Sequence, residues 1–288
     1  MNKLMALLKK DLIIHKKNLL LPIWVTGGLY FISLILGIIG IYRTGFNINM
    51  FEGYLYSGDH QGWIMVLNYV INAAVISFPM FLCTIMIIAS SQNALNEDSR
   101  LNCELFHRSQ PVSIWKISLS KYLVSIIGNW LVLILIAIVM AIIVNIAIAI
   151  KFDFMFKYAF AGMFVSLITE LKIGLLLGSI FFFFSAIFKD KVFWKVIGLT
   201  FGINVLVGIF NFLFGTHIPF PIKYLSELIK STSINSEMFQ NITGNDLQRV
   251  ISVNWNSLIF NWNVFWQMIL NAAFFVGGTL AYKFREIK

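Results

Sequence analysis

Six uninterrupted apolar runs leave this 288-residue chain few folds to choose from: Leu19 to Tyr42, Ile64 to Ala89, Lys121 to Ile150, Phe154 to Phe188, Phe193 to Phe214, and Val264 to Tyr282. Crossing a hydrocarbon core of about 30 Å takes about 20 helical residues at about 1.5 Å each. Every run is of that order. Barrel strands would alternate apolar and polar positions over about 10 residues, whereas these runs are apolar position after position. Helices, which satisfy their own backbone, are therefore the expected spanning element. Hydrophobic residues make up 59% and charged residues 12%, with a mean hydropathy of +0.82; soluble domains are about 45–50% apolar and about 25% charged. The expected fold class is an all-α integral membrane protein, one transmembrane domain over residues 1–288 with six transmembrane helices.

A net charge of +9 is compatible with nucleic acid, but its placement follows the positive-inside rule instead. With the N-terminus in the cytosol, the inner side carries Lys3, Lys9, Lys10, Lys16, Lys17, Arg100, Arg108, Lys116, Lys121, Lys189, Lys191, Lys195, Lys283, Arg285 and Lys288. The outer side carries Arg43, Lys151, Lys157, Lys223, Lys230 and Arg249, and Lys172 falls inside a span. Both termini are thus expected in the cytosol. The first run exceeds the roughly 7–15 residues of a signal-peptide core and no small-x-small site follows it, so it is expected to remain as an anchor.

Met1 to Asn18 reads as an amphipathic helix, with Leu4, Leu7, Leu8 and Leu12 near one face. It would lie in the inner interface with its lysines among anionic headgroups, or serve only as a topogenic basic patch. Lys9-Lys10-Asp11 is a candidate contact for a cytosolic partner. Arg43 to Trp63 reads as a short outer cap. Pro79 removes one backbone hydrogen bond from the second span and predicts a kink. The third and fourth runs are longer than a bilayer needs and must tilt or project. Lys189-Asp190-Lys191 is a tight inner turn. Gly215 to Asn263 is too long for an ordinary connector; Ile222 to Ser231 and Asn245 to Ile259 are candidate short helices, one of them a candidate re-entrant helix. Phe181 to Phe184 reads as core or lipid-facing packing. Cys83 falls in a span and Cys103 in a cytosolic loop, so no disulfide is expected.

Motifs for chemistry are missing. There is no Gly-x-x-x-x-Gly-Lys-Ser/Thr phosphate loop, no His-Glu-x-x-His, no Gly-x-Ser-x-Gly and no paired-cysteine metal site. His15, His60, His107 and His217 fall in four separate segments outside the apolar runs. Glu170 and Lys172 are the ionisable pair inside a span, and such residues are functional candidates. Glu170 lies 18 residues from Phe188, about 27 Å along a helix, which places it toward the outer headgroups. Residues two apart face different sides of a helix, so they are expected to snorkel to the outer interface and to find a polar partner on a neighbouring helix. Lining a pathway mouth and relaying protons are the alternatives.

Asn93 to Ser113 is a charged, proline-ended segment between two apolar runs. Asn96-Glu97-Asp98-Ser99 suits a helix start, where acidic side chains meet the positive end of the dipole. Leu101, Leu105 and Phe106 supply an apolar edge, Arg100, Glu104 and Arg108 the polar faces, and Pro111 a stop. The pattern predicts a short amphipathic helix across the foot of the second and third spans.

Glu97, Asp98, Arg100, the Glu104-Leu105 pair, Pro111-Val112-Ser113 and Lys121 resemble the loop that follows the second span in the membrane (permease) subunits of ATP-binding-cassette transporters, in the type-2 permease family. The basic N-terminal helix, the six spans and the large outer segment are similar too. Asn102-Cys103 departs from the glycine and small residue that many members carry there. The resemblance implies a coupling helix seated in a groove of a separate ATPase subunit, with Glu97, Asp98, Arg100, Glu104 and Arg108 in polar contacts and Leu105 and Phe106 docked. It further implies a non-catalytic permease in the plasma or inner membrane of a prokaryote, paired with a second permease copy or homologue, with ATP and Mg bound by the partner ATPase and no cofactor in this chain. Export of a hydrophobic or amphipathic cargo, such as a peptide, drug or lipid-linked molecule, is the expected activity. A stand-alone secondary transporter or channel using Glu170 and Lys172 is the alternative.

Overall fold

The computed structural model describes residues 3–44, 60–97, 112–151, 155–230 and 258–284. Among them the chain is 91% helical, with no strands. The helices are α1 (Lys3–Ile14), α2 (Lys16–Thr44), α3 (His60–Asn93), α4 (Ile114–Leu123), α5 (Asn129–Lys151), α6 (Phe156–Ile187), α7 (Val192–Phe214), α8 (Pro221–Lys230) and α9 (Trp262–Phe284). Six stretches are long and apolar enough to cross a membrane, one of them running from α4 through α5. They coincide with the six runs of the sequence, except that the third starts at Ile114 rather than near Lys121. Ser113 holds extended backbone and begins α4 directly. Lys121, expected to open the span at the surface, is instead buried.

Between α4 and α5 lies one π-helical turn, Val124–Gly128. Asn129 donates its side-chain amide to the Ser125 carbonyl at 2.7 Å, covering part of the backbone there. π-turns often mark functional positions in otherwise regular helices. Here the turn aims Ile126 at Gly178 of α6 and places Gly128 beside Leu19 of α2.

Helix α6 is the axis of the molecule, packed along α3 on one side and α9 on the other. It runs parallel to α3. The Tyr69 carbonyl lies against Gly162, the Thr84 hydroxyl meets Glu170, and Asn96 donates to the Phe188 carbonyl at 2.8 Å. A Cβ on Gly162 would collide with the Tyr69 carbonyl, so a side chain there would push these helices apart. Phe181 to Phe184 splits its duties as core. Phe182 is fully buried, stacks on Phe275 and meets Tyr122 edge-on, while Phe183 packs on Phe274.

The two ends of the bundle differ. The foot gathers α1, the end of α3, the start of α4, the α6–α7 turn and the end of α9. At the crown, α6 begins 16 residues before Lys172, whose carbonyl accepts from Gln267, a residue only five positions into α9. Helix α6 therefore overreaches α9 by about 16 Å. This is the projection that the excess length of the third and fourth runs requires.

Candidate functional site

Three constellations of polar groups stand out, two of them buried, and the first lies at the foot. Ala94 and Leu95 sink into a cluster with Phe182, Ala186 and Tyr282, against which Ile114 and Tyr122 also pack. Asn96 ties the same stretch to Phe188 of α6. Glu97 pairs with His15 at 3.0 Å. Ser120 of α4 donates to the Asp11 carboxylate at 2.6 Å. Asp11 and His15 are only 4% and 5% exposed, because Leu4, Leu7 or Leu8, Asp11, His15 and Leu19 fall on one helical stripe facing the bundle, while Leu12, Met5 and Ile13 face outward. Two expectations change. Asp11 is not offered to a partner, since α1 uses it to grip α4. Leu12 does not share the face of Leu4, Leu7 and Leu8. His15, one of four histidines in separate segments, engages Glu97. Asp98, Arg100, Glu104, Leu105, Phe106, Arg108 and Pro111 lie outside the described residues, as does the helix expected over them. Glu97 is the one residue of that set the structure describes, and its carboxylate is turned toward His15, the residue that follows α1.

The second constellation surrounds Glu170 and Lys172, which are 1% and 8% exposed. The Thr84 hydroxyl donates to Glu170 at 2.8 Å. Lys172 donates through Nζ to the Leu258 carbonyl, and its own carbonyl receives the Gln267 amide at 2.6 Å. The two side chains face different neighbours, as their spacing requires. Neither reaches outward: the structure turns both into the protein, correcting the expectation that they snorkel to the outer interface. Polar partners on α3 and ahead of α9 hold them there, in keeping with the rule that buried charges are hydrogen-bonded. Helix α9 continues the polar seam toward the foot. Gln267, Asn271 and Thr279 are all buried, yet Gln267 Oε1, Asn271 Oδ1 and Thr279 Oγ1 have no hydrogen-bond partner among the described residues.

The third constellation went unnoticed in the sequence. Thr200, Asn204, Gly208 and Asn211 form one stripe of α7, spaced four, four and three residues apart. After α7 the chain doubles back along this stripe. Asn211 donates to the Ile218 carbonyl and accepts from the Ile218 amide, at 2.8 and 2.9 Å. Phe220 lies over Gly208, and the Ile222 amide reaches Asn204 at 3.4 Å. Pro219 and Pro221 have no N–H to satisfy. The strap thus meets the demand for backbone partners in an apolar setting, and it delivers the start of α8 about 15 Å below the end of α7. Helix α8 covers nearly the helix expected over Ile222 to Ser231 and contacts α7 and α9. The second candidate helix falls mostly outside the described residues. The stripe was legible in principle, since asparagines seven apart in an apolar helix, followed by Ile-Pro-Phe-Pro, are a readable signal.

Clefts open between the described helices, two of them of small-molecule size. One, of about 490 Å³, lies among α3, α5 and α6, where Asn72 and Asn145 exchange amide hydrogen bonds at 2.9 and 3.1 Å. The other, of about 570 Å³, lies among α6, α7 and α8. Among the described residues no group of three or more His, Cys, Asp or Glu side chains could hold a metal ion. Cys83 is a buried free thiol in the core beside Ile76 and Leu133. No protein-family model, curated protein or solved structure matches this chain.

Proposed function

We propose that this chain is the membrane-spanning subunit of an ATP-driven transporter of the ATP-binding-cassette type, energised by a separate ATPase subunit that docks on the segment between α3 and α4. The supporting observation is the anchoring of that segment at both ends. Its approach is held by Leu95, Asn96 and Glu97 to α9, α6 and α1; its exit is held by Ile114, Ser120 and Tyr122 to the same three elements. A push delivered to either flank of this segment is passed directly to four helices of the bundle. In this reading the foot is cytosolic, α1 lies at the inner interface, and a second permease copy or homologue completes the pathway. ATP closes the two ATPases and the bundles rock between states facing opposite sides of the membrane. The cargo is exported and is hydrophobic or amphipathic.

Affinity purification under gentle detergent conditions tests the proposal: an ATPase subunit should copurify with the intact chain, and be lost with Glu104→Arg while membrane insertion is unchanged. Purified protein with no ATPase attached, together with transport that persists without ATP, would overturn it.

A second reading rests on the buried Glu170 carboxyl. A stand-alone secondary transporter or channel would use Glu170, with Lys172 beside it, to carry protons or ions. Glu170→Gln would then abolish transport, whereas in the ATP-driven reading the coupling of transport to ATP survives that change.

A further inference from the structure

The cleft among α6, α7 and α8 differs from an ordinary gap between lipid-facing helices in carrying a single cation. Its walls are side chains such as Leu177, Phe181, Ile197 and Phe201, its polar fittings are Thr200 and Asn204, and Lys223 stands at its edge. The hydroxyl of Thr200 and the amide of Asn204 are already committed, to the Val196 carbonyl, the Thr200 carbonyl and the Ile222 amide. Lys223 is not. Glu227, one turn along α8, forms no ion pair with it, and among the described residues no carboxylate lines the cleft. At about 570 Å³ the space is within the roughly 300–1,000 Å³ of small-molecule sites.

The strap explains why a lysine stands beside this cleft. Lys223 follows Ile222, whose amide is fixed to Asn204, ten residues short of the end of α7. Its backbone is therefore about 15 Å below the crown end of α7. Lys223 is exposed there, so its ammonium is open to an anionic group. The flexible stem can line the apolar wall while the ammonium rises toward the headgroup level.

We propose that this cleft binds one anionic phospholipid of the surrounding bilayer, with an acyl chain between α6 and α7 and the phosphate on Lys223. Charge complementarity selects the headgroup, and the apolar walls receive the chain. The occupant needs no ATPase, so the site stands independently of the transport mechanism.

Native mass spectrometry of the full chain, extracted from vesicles of equal phosphatidylglycerol and phosphatidylcholine, tests this. The wild type should retain one phosphatidylglycerol in preference to phosphatidylcholine. Lys223→Gln and the cleft-filling Ile197→Trp should each lower that retention at least fivefold, while Lys223→Arg and Lys157→Gln, which alters a cation on α6 away from the cleft, leave it unchanged. Equal retention by the wild type and Lys223→Gln would overturn the proposal, as would an equal loss in Lys157→Gln. Displacement of the retained lipid by equimolar palmitate would also overturn it, showing a fatty-acid site instead.

Discussion

Thr84 and Glu170 show how one hydroxyl can decide whether a carboxyl is tolerated inside an apolar bundle. Glu170 is among the most deeply buried side chains, and the Thr84 hydroxyl at 2.8 Å is the polar group aimed at it from α3. Thr84→Val keeps the shape and removes the donor, leaving a buried acceptor unsatisfied at a cost of about 1–3 kcal/mol. The expected outcome is a lower melting temperature by intrinsic fluorescence in detergent, with much of the loss recovered in Thr84→Val/Glu170→Leu, because removing both partners costs less than removing one. Asn271 presents the opposite case. Its Oδ1 is buried without a partner among the described residues, so Asn271→Leu, close in volume, should raise the melting temperature. If it also slows transport, the polar seam of α9 serves motion rather than stability. An unchanged melting temperature would mean that Asn271 finds a partner beyond the described residues. Sequence spacing foresaw that Glu170 and Lys172 would face different neighbours. It could not foresee the neighbours themselves, since Thr84 and Leu258 are each 86 residues away.

Elements were more legible than their contacts. Apolar run length placed the six spans to within a few residues, since a helix in lipid ends where its apolar side chains do. The error at the third span has a physical cause: Lys116 and Lys121 read as an inner-surface pair, but α1 and the foot cluster cover Lys121 and let the helix start at Ile114. The same covering hid the inward face of α1. Leucines alone suggested which side was apolar, whereas Asp11 and His15 complete the stripe that packs, and buried polar residues look like surface ones until their partners are known. The grip of α1 on α4 is testable. Asp11→Ala and Ser120→Ala should each destabilise by about 1–3 kcal/mol, and the double mutant should fall well short of their sum, as expected for residues in contact. Additive losses would show that the 2.6 Å hydrogen bond contributes no coupling energy. For α7, Asn204→Leu with Asn211→Leu should release the strap, so that a cysteine at Thr216 reacts faster with a membrane-impermeant maleimide than in the parent carrying that cysteine alone. An unchanged rate would mean that packing of Phe220 on Gly208 holds the strap without the asparagines.

At the scale of the whole molecule, the central question is whether the foot transmits force or merely closes the bundle. Helices α1, α4, α6 and α9 meet there around the two ends of the 98–111 segment. The contacts are of two kinds: apolar packing around Phe182 and Tyr282, and the polar ties His15–Glu97 and Asp11–Ser120. Interfaces so built tend to move as units, because packed cores shift between discrete arrangements rather than stretching. If the ATPase docks on this segment, docking and transmission are separable by position. Glu104→Arg changes the docking face and should reduce ATPase copurification. His15→Ala removes a tie behind that face: it should leave copurification intact and lower transport per ATP hydrolysed severalfold in reconstituted vesicles. The two variants therefore make opposite predictions in the same pair of assays. Equal loss of ATPase binding in both would mean that His15 shapes the docking face itself. Unimpaired transport per ATP in His15→Ala would take the His15–Glu97 tie out of the force path and leave the apolar cluster around Phe182 as the element that carries it.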